Sequence, residues 1–163
     1  MPRLTADMRR VIDEQRLAFV ATVTADGRPN VSPKGTIAVW DDDTLVFADL
    51  ASPGTVRNLE TRPEVELNVV DPFVRKGYRF RGRAELLRKG TRFTHAVTWY
   101  GTRGVVRPAE RIRTIVLVHL TTAEAVVSPG YDVGATEAEL RRSWRAHYDA
   151  LHGLTAGGPA IWE

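Results

Sequence analysis

Residues 17–49 read LAFVATVTADGRPNVSPKGTIAVWDDDTLVFAD, and the fold turns on how this stretch is read. Residues 17–24 are mostly small, β-branched or aromatic, the composition of a strand. The turn "ADGR" (25–28) follows, with Asp26-Gly27 expected to supply the positive φ values of a tight hairpin. The second arm, "GRPNVSPKGTIAVW" (27–40), is an unusual strand. Pro29 and Pro33 have no N–H to give to a ladder, which confines such a strand to an edge, a strand start or a bulge. A cation and a glycine, Lys34 and Gly35, come directly after the second proline. "DDD" (41–43) turns the chain again, and "TLVFA" (44–48) is a third strand.

The flanking sequence extends this pattern. "TADMRRVIDEQ" (5–15) predicts a helix capped by Thr5, with Leu4, Met8, Val11, Ile12 and Gln15 near one face. In "DLASPGTVRNLETRP" (49–63), Ser52 before Pro53 fits an N-cap with proline in the first turn, and Pro63 limits the far end. "EVELNVVD" (64–71) alternates in strand fashion, and "GYRFRGRAELL" (77–87) is a further strand. Residues 90–100 read as a helix, "GTRG" (101–104) as a break, and "RTIVLVHLTTAEAVV" (113–127) as one or two strands. "SPGYDVG" (128–134) is a loop. "TEAELRRSWRAHYDALHG" (136–153) is a helix capped by Thr136 and stopped by Gly153. About six strands joined by tight turns, with few and peripheral helices, predict an antiparallel barrel. Strict βα alternation is absent, which argues against a parallel sheet.

The chain has 163 residues, and one domain over residues 1–152 is expected, with residues 153–163 as a flexible tail. Hydrophobic residues make up 43% and charged residues 26%, as in ordinary globular proteins. There is no cysteine, so disulfides, thiolate metal sites and cysteine nucleophiles are excluded. No apolar run has the length of a membrane span, and "MPRLTADMRR" has no apolar signal core, so a cytoplasmic protein is expected. The net charge of +3 argues weakly for nucleic acid, which is not an expected partner.

Few motifs carry chemistry. There is no GxGxxG, no P-loop and no serine at a nucleophile elbow. His95, His119, His147 and His152 lack the spacing of a helical zinc pair, and Asp41–Asp43 lack that of an EF-hand, so no metal is expected. Chemistry would therefore fall to a cofactor. "SPGT" (52–55) at a helix N-terminus offers hydroxyls and free N–H groups to an anion, or Ser52 simply caps the helix. Arg79, Arg81 and Arg83 share one strand face, where Glu64 and Glu66 can pair with them or an anionic ligand can. Leu140, Trp144, Tyr148 and Leu151 form a stripe for core or dimer packing.

The order of these parts resembles the FMN-binding split-barrel superfamily, which includes the pyridoxamine 5'-phosphate oxidases and small FMN-binding proteins. The resemblance rests on the "DGxP" turn, on the "SPKG" segment, and on the strand ending at Ala48-Asp49. The loop "SPGT", the junction "NLxxxPxV" (58–65) and "RFRGRAELL" (79–87) complete it. It spans roughly residues 10–127. It implies a mainly β, antiparallel six-stranded split β-barrel with peripheral α-helices, and a homodimer with FMN at the subunit interface. Carried over by position, Ser32, Pro33, Lys34 and Gly35 run along the isoalloxazine, with Lys34 near N1 and the C2 carbonyl. Ala48 and Asp49 close the site, Ser52 and Thr55 hold the phosphate, and Asn58 braces that loop. The oxidases of the family follow the serine with an Arg-Lys pair, whereas this chain has Pro53-Gly54. The phosphate charge is then left to N–H groups, Arg57 or an arginine such as Arg81 from either subunit. The family's C-terminal Trp and Arg signature is not recognisable in "GGPAIWE", so the resemblance stops short of pyridoxamine phosphate oxidation. The expected function is an FMN-dependent oxidoreductase acting on a small molecule or redox partner. The alternatives are a flavin electron carrier, or a barrel adapted to F420 or to haem with His119 as ligand.

Overall fold

The computed structural model describes residues 3–153; of the tail expected over 153–163, all but Gly153 lies outside them. Among these residues there are seven strands and four α-helices. In chain order they are α1 (Ala6–Gln15), β1 (Ala18–Val23), β2 (Pro29–Lys34), β3 (Ala38–Val39), β4 (Thr44–Asp49) and α2 (Pro53–Thr61). There follow β5 (Glu64–Asp71), β6 (Lys76–Leu87), α3 (Thr91–Thr102), β7 (Thr114–Val127) and α4 (Glu137–Leu151). The strands form one antiparallel sheet in the order β2-β1-β5-β6-β7-β4-β3. This sheet is the split β-barrel.

The two end strands, β2 and β3, are neighbours in the chain. That corrects the expected strand count. The single arm read over 27–40 is two strands on opposite edges, and residues 35–37 carry the chain across the split. Alternation in the sequence marks an extended chain but not a change of partner. The prolines sit where their chemistry allows. Pro29 opens β2, Pro33 pairs with Phe19, and β2 has a neighbour on one side only. The hairpin turn also differs from expectation. Only Gly27 has a positive φ, +87°, and the loop is Ala25-Asp26-Gly27, closed by Thr24. A three-residue loop needs one left-handed residue, not two.

The barrel interior is filled by Val20, Leu45, Phe47, Leu67, Val69, Phe80, Val116, Val118 and Leu120, and Ile12 of α1 and Leu59 of α2 belong to the same buried cluster. A second cluster lies between the sheet and α3, where Ala96 and Tyr100 pack on Val46, Ala48, Ile115 and Leu117. Strand β4 is covered on both faces, so all six of its residues are buried. At Gly82, beside a register shift in β6, a Cβ would lie 2.4 Å from the His119 carbonyl oxygen. The backbones approach too closely there for any side chain.

Thr5 caps α1, accepting from the Met8 N–H at 3.2 Å. Thr136 and Glu139 form a reciprocal capping box on α4. That helix buries none of its residues fully. It lies on the β5–β6 hairpin through Trp144 under the Arg75 guanidinium, at 3.5 Å, and Tyr148 against Phe73. The "SPGYD" segment forms a 3-10 turn whose Tyr131 hydroxyl donates to the Val74 carbonyl at 2.7 Å. No helix among the described residues is long and apolar enough to cross a membrane.

Candidate functional site

The split brings together the end of β2, the end of β4 and the start of α2. Continuing the β3–β4 register places Thr36 opposite Ala48, but the backbone has already turned away. The Thr36 hydroxyl replaces the missing ladder. It donates to the Ala48 carbonyl and accepts from the Ala48 N–H, both at 3.0 Å. The carbonyl of Thr36 in turn accepts from the Tyr100 hydroxyl at 2.8 Å. Burial pushes the Tyr100 phenol far above its usual range, so it stays protonated and donating. Neither Thr36 nor Tyr100 was singled out from sequence. A threonine two residues after a strand-breaking "PK" was the available signal.

Lys34 is the centre of this region. It is 4% exposed, and its ammonium donates to the Ser32 hydroxyl at 2.6 Å and the Ser52 hydroxyl at 2.7 Å. Burial lowers its pKa from the ordinary lysine value, and the Asp49 carboxylate works in the opposite direction. Asp49 is buried too, and accepts from the Ser52 N–H at 2.7 Å. Ser52 is therefore not the side-chain cap expected from sequence. Its hydroxyl is turned to Lys34 and makes no capping bond. A cavity of about 170 Å³ opens here, walled by residues 33–36, Ala48 and residues 50–52. A second hollow of about 200 Å³ lies across Gly35, with Arg16, Trp99 and Arg103 in its walls. The fold itself makes no steric demand for glycine at 35. A Cβ there would meet only the Arg16 carbonyl oxygen, at 3.9 Å.

Ser32, Pro33, Lys34, Gly35, Ala48, Asp49 and Ser52 thus form one cluster. The other residues expected at the site are Thr55, Arg57, Asn58 and Arg81. Thr55 is buried in the first turn of α2 and Arg57 is exposed on the same helix. The Asn58 amide donates to the Thr22 hydroxyl at 2.9 Å, which ties α2 to β1. Arg81 lies on the outer face of β6, where it pairs with Glu66 at 2.6 Å, while Arg83 pairs with Glu64 at 2.7 Å. These are the cross-strand pairs set by the β5–β6 register. Within one chain they leave Arg81 outside the Lys34 cluster.

His119 is engaged at both ring nitrogens, with Glu85 at 3.0 Å and the Thr44 hydroxyl at 3.4 Å. Among the described residues there is no group of three or more His, Cys, Asp or Glu side chains fit to hold a metal ion. The outer face of β1 and β2 is apolar. Phe19 is 52% and Val31 61% exposed, beside Pro29, Pro33 and Ala21.

Known proteins share this architecture. HupZ of Group A Streptococcus superposes with a TM-score of 0.67 at 33% identity, over 76% of this chain and 94% of HupZ. An FMN-binding protein of Syntrophomonas wolfei has the same fold, with a TM-score of 0.62 at 15% identity over 77% and 87% of the two chains. So does HutZ, the heme storage protein of Vibrio cholerae, with a TM-score of 0.55 at 21% identity over 77% and 94%. No protein of curated function matches the sequence. The family model described as pyridoxamine 5'-phosphate oxidase matches residues 4–126, from the residues before α1 almost to the end of β7. The chain belongs to the pyridoxamine 5'-phosphate oxidase family.

Proposed function

We propose that this protein binds FMN at the interface of a homodimer and works as an oxidoreductase. The observation that carries the reading is the Lys34 cluster at the split. The buried Lys34 ammonium and Ser52 line one cavity, Ser32 of β2 bonds the same ammonium, and Ser52 directly precedes α2. That donor set fits the anionic end of a flavin nucleotide. The cavity of about 170 Å³ is smaller than the roughly 300 Å³ at which small-molecule sites begin, which suits a site shared with a second surface. The exposed apolar face around Phe19 and Val31 gives two copies of the chain a surface to share.

When bound, the flavin supplies hydride or electron transfer, and the protein supplies position and electrostatics. The residues of this chain do three things there. Lys34 and the serines hold the anionic end, Gly35 leaves room for a close approach to the main chain, and Thr36 fixes the two edges of the split. An S. wolfei relative named for FMN binding supports the flavin, and a Vibrio relative named for heme storage supplies the main rival. A cytoplasmic location suits a chain without cysteines.

The visible spectrum of the purified protein is the test. A flavin spectrum, with FMN released on denaturation and two sites per dimer, is expected. A Soret band, or a colourless protein that takes up F420 but not FMN, refutes the reading. Anaerobic mixing with NADH or NADPH then separates enzyme from carrier, since bleaching of the flavin is expected only of an oxidoreductase that uses that donor.

A further inference from the structure

We propose that Lys34 is the cation for the cofactor's phosphate, so that Lys34, Ser32, Ser52 and the first turn of α2 form a clamp selective for a phosphate monoester. The proposal rests on the flavin reading above and assigns within it a role that sequence position gave differently.

The argument starts from an electrostatic mismatch. Lys34 is almost fully buried, yet its two hydrogen-bond partners are neutral hydroxyls. Among the described residues no carboxylate is within ion-pair distance of it. Asp49 acts only through space, and its carboxylate is bonded to the Ser52 N–H. The ammonium also faces the N-terminus of α2, the positive end of a helix. A buried cation against a positive helix end is unfavourable, and the Asp49 carboxylate offsets only part of that cost, since burial outweighs it at Lys34.

The donors for an anion are in place. An ammonium has three N–H groups, and Ser32 and Ser52 take two. With its side chain on Lys34, Ser52 caps neither Gly54 nor Thr55, the second and third residues of α2. Their N–H groups precede the first intrahelical bond, which the Val56 N–H makes to the Ser52 carbonyl at 3.4 Å. One anion at this point meets the third Nζ proton, the helix N–H groups and the positive helix end together. The other cations expected from sequence are elsewhere, Arg57 on the exposed face of α2 and Arg81 on Glu66.

The same geometry moves Lys34 away from the flavin ring. The ring edge at N1 and the phosphate of FMN are a whole ribityl chain apart. Lys34 is bonded directly to Ser52, so an ammonium that shares the phosphate with Ser52 does not also reach N1. The cation that holds the phosphate thus comes from β2, across the split, and not from the loop after Ser52.

Titration of the cofactor-free protein and of Lys34→Met with FMN and with riboflavin tests this. The two ligands differ only in the phosphate. The wild type is expected to prefer FMN strongly. Lys34→Met is expected to lose about ten- to a hundred-fold in FMN affinity, the scale of a charged hydrogen bond, with riboflavin affinity nearly unchanged. Equal losses for both ligands would place Lys34 on the ring and overturn the proposal, as would unchanged FMN affinity. Ser52→Ala keeps the charge and carries the same test if Lys34→Met does not fold; it is expected to weaken FMN and spare riboflavin, and equal losses count against the clamp. If the wild type binds neither flavin, the FMN reading fails on its own. The clamp is then judged by inorganic phosphate, which is expected to raise the melting temperature of the wild type and not of Lys34→Met. No such difference overturns it.

Discussion

Replacing Thr36 with valine keeps the shape of the side chain and removes one hydroxyl. In the structure that hydroxyl is the partner of both the N–H and the carbonyl of Ala48, at 3.0 Å each, in a buried setting. No cavity is created, so the cost comes from two buried backbone groups left without partners. At about 1–3 kcal/mol for each such group, Thr36→Val is expected to destabilise the protein by about 2–6 kcal/mol. For a domain with typical net stability this is a large share. Urea unfolding of the cofactor-free protein gives the measurement: the midpoint is expected to fall while the slope stays the same. Flavin affinity is expected to fall with it, because the two edges that carry Lys34 and Ser52 are held together at this point. A loss below about 1 kcal/mol would refute the reasoning. It would mean that water reaches Ala48 when the hydroxyl is gone, and that Thr36 does not close the split.

Two glycines make a contrasting pair. Gly82→Ala forces a Cβ to 2.4 Å from a carbonyl oxygen and is expected to cost at least the 1–3 kcal/mol typical of overpacking, read by thermal melting. Gly35→Ala meets nothing closer than 3.9 Å, so it is expected to melt like the wild type and to bind flavin less well. A stability loss at Gly35 comparable to that at Gly82 would show that the fold, not the ligand, requires this glycine. Lys34 gives a pH signature. Its folded pKa is lowered from 10.5, so the folded state releases this proton before the unfolded chain does, and its contribution to stability improves as pH rises toward 10.5. In cofactor-free protein, the stability of the wild type relative to Lys34→Met is therefore expected to rise between neutral pH and pH 10.5; a flat difference would contradict the burial of its charge. Finally, removal of residues 128–163 is expected to leave flavin affinity unchanged, because the family match ends at residue 126 and α4 packs on the β5–β6 hairpin away from Lys34. Loss of flavin from the shortened protein would show that α4 supports the site.

Local rules in the sequence were enough for the parts that depend on neighbours in the chain. Thr5 and Thr136 cap the helices expected of them, and the Glu64–Arg83 and Glu66–Arg81 pairs follow from alternation and an antiparallel register. What was not legible depends on partners distant in sequence. Nothing in residues 27–40 says that the chain changes edges at Gly35, because extended backbone has the same pattern on either edge. Nothing near Ser52 says that a lysine 18 residues earlier takes its hydroxyl. The contacts of Asn58 and Arg81 within one chain show the same dependence. Each has a partner, Thr22 or Glu66, that only the sheet order brings near.

The prolines of β2 bear on how two copies of this chain can meet. An open strand edge invites a second sheet to continue the ladder, which would fuse two barrels through their backbones. Pro29, Val31 and Pro33 occupy alternate positions, so they direct their main-chain nitrogens to the same side of the strand, and two of those three have no hydrogen to give. That edge is a poor template for a further strand. Partnership through this region is left to side chains meeting face to face, with Phe19 and Val31 outermost. Pro33→Val restores one of the missing N–H groups, and light scattering is expected to show more association through this edge than in the wild type.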